Sequence, residues 1–284
     1  MPTIHSTALV DPRAELADDV VISAFCIVEA DVQIGAGCRI EARATIKNGA
    51  RLGANNYVAE GTVLSGRPQH LRAGTDLGLL IVGEGNHFRE NVTVHRGLSP
   101  GHDTIIGDGN FLMVGVHVGH DCRIGDNVIM ANNVMLGGHV EVQDRAFLSG
   151  LVAAHQFCRI GAVAMVGGCA RVTQDVPPFV MVDGETSGIV GLNTIGLRRA
   201  GMSSQDLAGL KGAYRLIFRS GLQWNEVLAQ LAEKFTEGPA ARYHEFLSAS
   251  KRGILQPRRE ARGATIKLHP AAPESEDGEL RKAG

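Results

Sequence analysis

The sequence of 284 residues has few aromatic side chains, no long apolar run and no excess of either charge. No apolar run approaches the roughly 18 residues that a membrane helix needs, so no membrane span is predicted. The start, MPTIHSTALVDP, has neither a basic leader nor an apolar signal core, which predicts a cytoplasmic protein. The 28 basic and 30 acidic residues give a net charge of -2, which argues against a general nucleic-acid binder.

Cysteine is scarce as well, whereas glycine is abundant. The five cysteines include no CxxC pair, which argues against a disulfide framework or a zinc ribbon. The 36 glycines exceed the share of about 7% that is typical of globular proteins. They do not recur at every third position, which excludes collagen, so the excess needs another structural reason.

Aliphatic residues recur at every sixth position. Stepping by six from Ile4 to Val172 gives 29 positions, of which 25 are Val, Ile, Leu, Met or Phe. The position four residues later is mostly small, and four of the five cysteines occupy it. Large and small side chains therefore alternate on the inward side, which requires one short strand in each repeat of six residues. Three repeats with their turns make one coil. The sequence therefore predicts a parallel β-helix.

This pattern resembles that of the hexapeptide-repeat proteins, whose fold is a left-handed parallel β-helix and which usually form trimers. The resemblance implies a mainly β domain over residues 1–188. Segments 66–80 and 97–103 interrupt the inward pattern and are predicted to project as loops, where binding residues are common. Nine glycines directly follow a sixth-position residue, and we expect them at coil corners with unusual backbone angles.

Helical periodicity replaces the repeats after Pro177 and Pro178. Apolar stripes and a capping box from Ser203 to Asp206 predict a small α-helical C-terminal domain over 189–255. Segment 256–284 has 11 charged residues, three prolines and no aromatic residue, which predicts a disordered tail.

Four histidines, His117, His120, His139 and His155, fall on about three neighbouring coils. Coils stack at about 4.8 Å, so these side chains cluster. Neutral imidazole can serve as a general base or as a zinc ligand. The spacing of His117 and His120 fits no standard metal motif, so base catalysis leads and no metal is predicted. A zinc enzyme like the gamma-class carbonic anhydrases and a non-catalytic hexapeptide subunit are the alternatives.

Four segments carry a closer resemblance: NVTVHRG (91–97), VHVGHDCRIGDNVIMANNVMLGGHV (116–140), AAHQFCRIGAVAMVGGCARVTQDVPPFV (153–180) and GLNTIGLRRAG (191–201). They resemble the bacterial UDP-N-acetylglucosamine acyltransferases that begin lipid A biosynthesis. The resemblance implies transfer of a 3-hydroxyacyl chain from acyl carrier protein to the 3-hydroxyl of UDP-N-acetylglucosamine. No separate cofactor is implied, because the phosphopantetheine of acyl carrier protein carries the acyl group.

The resemblance also implies roles for individual residues. His120 is the implied general base, Asp121 orients it, and the backbone N–H of Gly138 is the oxyanion donor. The implied substrate contacts are Gln69, His70, His117, His139, His155 and Gln156, with Asn193 and Arg199 near the nucleotide and Gly168 in the acyl groove. A homotrimer with active sites between subunits follows from the same resemblance.

Three departures from the family pattern concern the acceptor sugar. Gln69 is followed by His70 where the family commonly has Gln-Asp, Ile195 stands where a glutamate is usual, and segment 183–193, DGETSGIVGLN, diverges. A 3-amino UDP sugar, acylated on nitrogen, is therefore an alternative acceptor. The helical region supplies basic residues that suit an acidic carrier protein: Arg198, Arg199, Lys211, Arg215 and Arg219.

Overall fold

The computed structural model describes residues 1–258. The first part of this chain is a column of stacked coils whose strands form three sheets of 11, 9 and 8 strands, all parallel except for the last strand of the first sheet. Helices follow the column. The fold prediction is therefore confirmed: the chain is a mainly β, left-handed parallel β-helix of hexapeptide repeats with α-helices after it.

The strands of the first five coils are β1 (Thr3–Ile4), β2 (Leu9–Val10), β3 (Glu15–Leu16), β4 (Val21–Ile22), β5 (Ile27–Val28), β6 (Gln33–Ile34), β7 (Arg39–Ile40), β8 (Thr45–Ile46), β9 (Ala50–Leu52), β10 (Tyr57–Val58), β11 (Val63–Gly66), β12 (Leu80–Val82), β13 (His87–Phe88), β14 (Thr93–His95) and β15 (Thr104–Ile106). Those of the later coils are β16 (Phe111–Leu112), β17 (His117–Val118), β18 (Arg123–Ile124), β19 (Ile129–Met130), β20 (Met135–Leu136), β21 (Glu141–Val142), β22 (Phe147–Leu148), β23 (Ala153–Ala154), β24 (Arg159–Ile160), β25 (Met165–Val166), β26 (Arg171–Val172) and β27 (Val180–Val182).

The coils pair in register at steps of three repeats, as with Ile22 and Ile40. The sixth-position residues point inward and form one aliphatic core along the axis. Four cysteines of the small inward position are fully buried, whereas the fifth, Cys169, is exposed. The buried four are Cys26, Cys38, Cys122 and Cys158.

Both interruptions of the repeat are loops. Leu64 pairs with Val94, which lies five repeats later rather than three, so the coil that holds residues 67–79 is longer by two repeats. Val82 pairs with Ile106, which lies four repeats later, so the coil that holds residues 97–103 is longer by one. Both insertions have the length of whole repeats, which is why the pattern keeps its phase across them.

The glycines that follow sixth-position residues have a different role from the one expected. The corner residues with positive φ lie two positions further on, as at Asp121 and Asn133, and the nine glycines are not among them. At Gly53, a Cβ atom would lie 2.7 Å from the carbonyl oxygen of Gly83 in the next coil. These glycines are required because consecutive coils approach closely, not because of their backbone angles.

A ladder of three buried asparagines interrupts the aliphatic column at the small inward position. The Oδ1 atom of Asn56 accepts hydrogen bonds from the backbone N–H and Nδ2 of Asn86, at 2.9 and 3.0 Å. Asn86 accepts the same pair from Asn110, and Asn110 accepts the N–H of Val128. The ladder therefore satisfies its own polar groups inside the core.

The β-helix ends in an antiparallel pair, β27 with β28 (Ile189–Leu192), before the helices α1 (Thr194–Arg199), α2 (Ser204–Arg219), α3 (Trp224–Lys234) and α4 (Gly238–Ser248). The capping box predicted at Ser203 and Asp206 is present at the start of α2. Apolar residues of the helices pack with Phe179 in a second buried cluster. At the start of the predicted tail, the N–H of Arg258 donates to the carbonyl of Ile189. Residues 259–284 lie outside the described part.

Candidate active site

A polar cleft of about 390 Å³ lies at the corner that follows β14, β17, β20 and β23. Seven of the residues predicted for the site line this cleft: Gln69, His70, His117, His120, Gly138, His155 and Gln156. His95 lines it as well. The loop of residues 67–79 supplies Gln69 and His70, and the stacked corners supply the rest. The stacking of coils thus brings residues that are far apart in sequence to one place.

His120 and Asp121 form a hydrogen-bonded pair at the base of this cleft. The Nδ1 atom of His120 contacts Oδ2 of Asp121, and both side chains are largely buried, at 10% and 6% exposure. An ionised carboxylate can only accept, so Nδ1 carries the proton and Nε2 of a neutral ring is left as an acceptor. This arrangement orients an imidazole for proton abstraction.

Asp121 is held through its backbone and its carboxylate by two residues of the preceding coil. Asp121 takes a positive φ of 60° at its corner, and its N–H donates to Oγ1 of Thr104 at 2.8 Å. The N–H of Leu98, in the loop of residues 97–103, points to both carboxylate oxygens at 3.3 and 3.4 Å. These contacts fix the acceptor that orients His120.

Gly138 lies directly against the His120 ring. A Cβ atom at this position would be 2.8 Å from Nε2 of His120. Within residues 1–258, the N–H of Gly138 has no hydrogen-bond acceptor. This glycine, packed against the His120 ring and lining the cleft, thus has a backbone N–H that a ligand in the cleft could use.

Two further histidines of the cleft are neutral near pH 7. Burial, with a smaller contribution from the neighbouring His117, lowers the pKa of His95 to about 4. Burial also lowers the pKa of His117, whose Nδ1 lies 2.8 Å from Oγ1 of Thr93. The cleft therefore presents uncharged imidazoles that can exchange hydrogen bonds with a polar ligand.

His139 is close to the pair but does not line the cleft. Its ring packs edge-on to His120 at 5.2 Å and stacks on Phe157 at 4.5 Å. Its Nε2 is 3.8 Å from Oδ2 of Asp121, and burial lowers its pKa. His139 thus packs against the pair, and the substrate contact expected of it stays a prediction.

The trio of His120, Asp121 and His139 has the composition of a metal site, since one atom of each lies within 4.8 Å of the others. Two ligands at about 2.1 Å from one zinc ion in tetrahedral geometry are roughly 3.4 Å apart. The contact between His120 and Asp121 is far shorter than that. The structure thus describes His120 and Asp121 as a hydrogen-bonded pair, with the ring of His139 packed beside it.

Asn193 and Arg199 line a second cavity of about 540 Å³, away from the cleft of His120. Its wall is the outer face of the first sheet, and α1 closes it with Ile195. Asn193 caps α1: Oδ1 accepts from the N–H of Gly196, and Nδ2 donates to the carbonyl of Val163 at 2.8 Å. Gly168 lines neither cavity.

His95 is the cleft residue that the sequence analysis missed. Its Nδ1 atom is buried without a hydrogen-bond partner among the described residues. Thr93 pairs with His117, so His95 falls beside Gly119 in the next coil. A search at steps of three repeats misses this alignment, because one extra repeat is inserted after His95. The strand register across the insertion would have shown it.

None of the helices within residues 1–258 is long and apolar enough to cross a membrane. Residues 175–255 match a family model described as UDP N-acetylglucosamine O-acyltransferase, domain 2. Segments 13–48, 31–66 and 103–138 match the bacterial transferase hexapeptide model.

Named relatives match over most of their length. The acyl-[acyl-carrier-protein]--UDP-N-acetylglucosamine O-acyltransferase of Janthinobacterium sp. (strain Marseille) is 40% identical over 262 residues, which cover 90% of this chain and all of the relative. The enzyme of that name from Xanthomonas axonopodis pv. citri is 42% identical over 258 residues, which cover 90% of this chain and 98% of the relative.

Solved structures agree with these matches. The UDP-N-acetylglucosamine acyltransferase of Francisella novicida superposes with a TM-score of 0.86 at 34% identity, covering 89% of this chain and 94% of that one. The enzyme from Bacteroides fragilis gives 0.85 at 35% identity, covering 89% of this chain and 100% of that one. From its fold, its site and these relatives, the chain belongs to the UDP-N-acetylglucosamine O-acyltransferase family.

Proposed function

We propose that the protein transfers a 3-hydroxyacyl chain from acyl carrier protein to the 3-position of UDP-N-acetylglucosamine, the first step of lipid A biosynthesis. The observation that carries this proposal is the buried pair of His120 and Asp121 packed against Gly138, whose N–H has no acceptor within residues 1–258. The polar cleft around the pair has the donors and acceptors that a sugar requires.

In the proposed reaction, Nε2 of His120 removes the proton of the 3-hydroxyl as its oxygen bonds to the thioester carbonyl carbon. Asp121 stabilises the imidazolium that forms. The N–H of Gly138 donates to the developing oxyanion, an interaction worth about 3–4 kcal/mol in other enzymes. The carbon–sulfur bond then breaks, and the imidazolium returns the proton to the sulfur of the carrier.

We also propose that the active site forms between subunits of a homotrimer. Asn193 and Arg199 border a cavity separate from the His120 cleft of the same chain. The guanidinium of Arg199 is exposed and suits the phosphates of a nucleotide. Apposition of one chain's cavity and another chain's cleft would join the two halves. Gly168 would leave room in the acyl groove for a long chain.

The acceptor is proposed to be the 3-hydroxyl sugar, with the 3-amino sugar as the second candidate. His70 favours this second candidate, because an imidazole in place of a carboxylate brings no negative charge that would hold the amine in its ammonium form. Its ring lies edge-on to that of His120, the proposed base, with the ring centroids 5.5 Å apart.

The acyl donor is proposed to be acyl carrier protein, and the reaction to be cytoplasmic. Lys211, Arg215 and Arg219 occur at steps of four along α2 and are exposed, as are Arg198 and Arg199. None of the five forms an ion pair within residues 1–258. These unpaired basic side chains would attract an acidic partner and raise its rate of association.

The test is a product assay with purified protein. A panel of 3-hydroxyacyl carrier proteins of different chain lengths is incubated with UDP-N-acetylglucosamine or its 3-amino analogue, and the product is identified by mass. Mild alkaline hydrolysis separates the two candidates, since an ester is cleaved and an amide survives. His120→Ala is the control. Acylation of neither sugar by the unaltered protein would overturn the proposal.

A further inference from the structure

Arg96 follows the cleft residue His95 and turns away from the cleft. Its Nη1 atom donates to the carbonyl and Oδ1 of Asn48, at 2.7 and 3.0 Å. Its Nε donates to the carbonyl of Gly78, and Nη2 to that of Leu77 at 3.3 Å. One guanidinium thus joins an earlier coil to the end of the loop of residues 67–79, and no ion pair within residues 1–258 competes for it.

The path of this side chain depends on Gly49. Gly49 has a φ of +82°, and a Cβ atom there would lie 2.4–2.7 Å from the guanidinium carbon and nitrogens of Arg96. The corner is therefore open only because the residue is glycine. The guanidinium of Arg96 fills the space that the missing Cβ atom of Gly49 leaves. This fit supports the position of the guanidinium independently of its hydrogen bonds.

The loop that Arg96 holds carries the cleft residues Gln69 and His70. Both are exposed, and Leu71 beside them is fully exposed, so the tip of the loop has little packing of its own. The loop is anchored at its end, where the N–H of Leu79 donates to Oδ1 of Asp103 and Arg96 takes the carbonyls of residues 77 and 78.

The segment around Arg96 also contacts the catalytic pair. The N–H of Gly97 donates to the carbonyl of Leu79, and the N–H of Leu98 points to the Asp121 carboxylate. His95 thus lines the cleft, and Arg96 holds the loop end through its side chain. Gly97 holds the same loop end through its backbone, and Leu98 supports the Asp121 carboxylate.

We propose that Arg96 is the positioning residue that sets the loop of residues 67–79 over the His120 cleft, and thereby the affinity for the acceptor sugar. Arg96 does not touch substrate. It acts through the loop end, so its loss loosens the sugar contacts of Gln69 and His70 while the His120–Asp121 pair stays in place. The part of this inference that concerns the sugar rests on the proposed function.

The experiment compares Arg96→Ala and Arg96→Lys with unaltered protein, and uses Arg13→Ala, an exposed arginine of the first coil, as a matched control. Amide hydrogen exchange is followed in the peptide that covers residues 67–79, without substrate. We expect exchange there to rise roughly tenfold or more in Arg96→Ala, as anchoring hydrogen bonds are lost, and elsewhere to stay unchanged. Arg96→Lys keeps the charge but has one ammonium for four oxygens, so it should fall between.

Kinetics provide the second readout. Arg96→Ala should raise KM for the UDP sugar roughly tenfold with KM for the acylated carrier within about twofold, because only the sugar side is loosened. Unchanged exchange in the loop peptide, or an equal rise of both KM values, would overturn the proposal. If Arg96→Ala does not fold, Arg96→Lys carries both measurements. Exchange is read without substrate, so it tests Arg96 even if no sugar is acylated.

Discussion

Gly138 and His120 are in contact across one coil step: a Cβ atom on Gly138 would lie 2.7 Å from Cε1 of His120. Gly138→Ala should therefore push the ring from its place on Asp121. Because a displacement of about 1 Å can cost on the order of 100-fold in rate, we expect kcat to fall to that extent. Steady-state kinetics with circular dichroism as a check on folding measure it. Gly191→Ala, where a Cβ atom meets nothing within 4 Å, is the control and should keep full activity.

Removal of the proposed base should abolish most of the catalysis. His120→Ala should lower kcat by roughly 10²–10⁴ with the fold intact, which is the usual contribution of general base catalysis. Asp121→Asn should also lower kcat, because an asparagine amide can donate to Nδ1 and favour the tautomer whose Nε2 carries the proton. Product formation in single-turnover assays measures both, and normal activity of His120→Ala would contradict the mechanism.

A site shared between subunits should allow complementation. His120→Ala and Arg199→Ala homotrimers should each be nearly inactive, since each variant damages every site. Mixed trimers, made by co-expression with two affinity tags, should regain part of the activity, because some sites then contain neither change. Doubly tagged trimers of His120→Ala with Asp121→Asn are the control and should stay inactive. Equal inactivity of both mixtures would contradict the shared site.

The free energy of unfolding should depend on pH through His95. Its folded pKa of about 4 lies below the value of about 6.5 in an unfolded chain, so the unfolded state binds more protons between these values. Stability from this group is therefore fully present above pH 6.5 and is lost as pH falls towards 4. Urea unfolding at pH 7 and pH 5 should show a smaller loss in His95→Gln than in unaltered protein. His5→Gln, in the first coil, should leave the loss unchanged.

Close packing between coils should make Gly53 intolerant of a side chain. The Cβ atom of Gly53→Ala would meet the carbonyl oxygen of Gly83 at 2.7 Å, and backbone cannot move aside as a side chain can. We expect a loss of about 1–3 kcal/mol in unfolding free energy, which is typical of overpacking. Denaturant titration against Gly191→Ala measures it. An equal effect of the two substitutions would show that the coils can separate at that point.

The phase of the repeat was readable from the sequence because each inward residue faces the same core in every coil. The same phase predicted that His117, His120 and His155 would meet. His95 could not be placed in this way, because its position depends on where the chain leaves and rejoins the coil around an insertion.

Other features depend on contacts that no periodicity describes. The close approach of the coils at Gly53 is a property of backbone packing, and the sequence suggested a corner instead. The stacking of His139 on Phe157 depends on the side chains of two corner residues, whose type the inward repeat does not specify. The separate cavity of Asn193 and Arg199 depends on where α1 lies against the first sheet.

The asparagine ladder has a consequence for how a repetitive chain finds its order. Coils with near-identical aliphatic interiors can stack on one another in many wrong pairings, and a slip by one coil would cost the aliphatic residues little. Asn86 and Asn110 differ from the rest, because the Nδ2 of each donates to the Oδ1 of the asparagine in the preceding coil, Asn56 and Asn86 respectively. A slip would bury an unpaired amide, at a cost of about 1–3 kcal/mol each. The ladder thus distinguishes three consecutive coils from the others and disfavours columns in which the coils are wrongly paired.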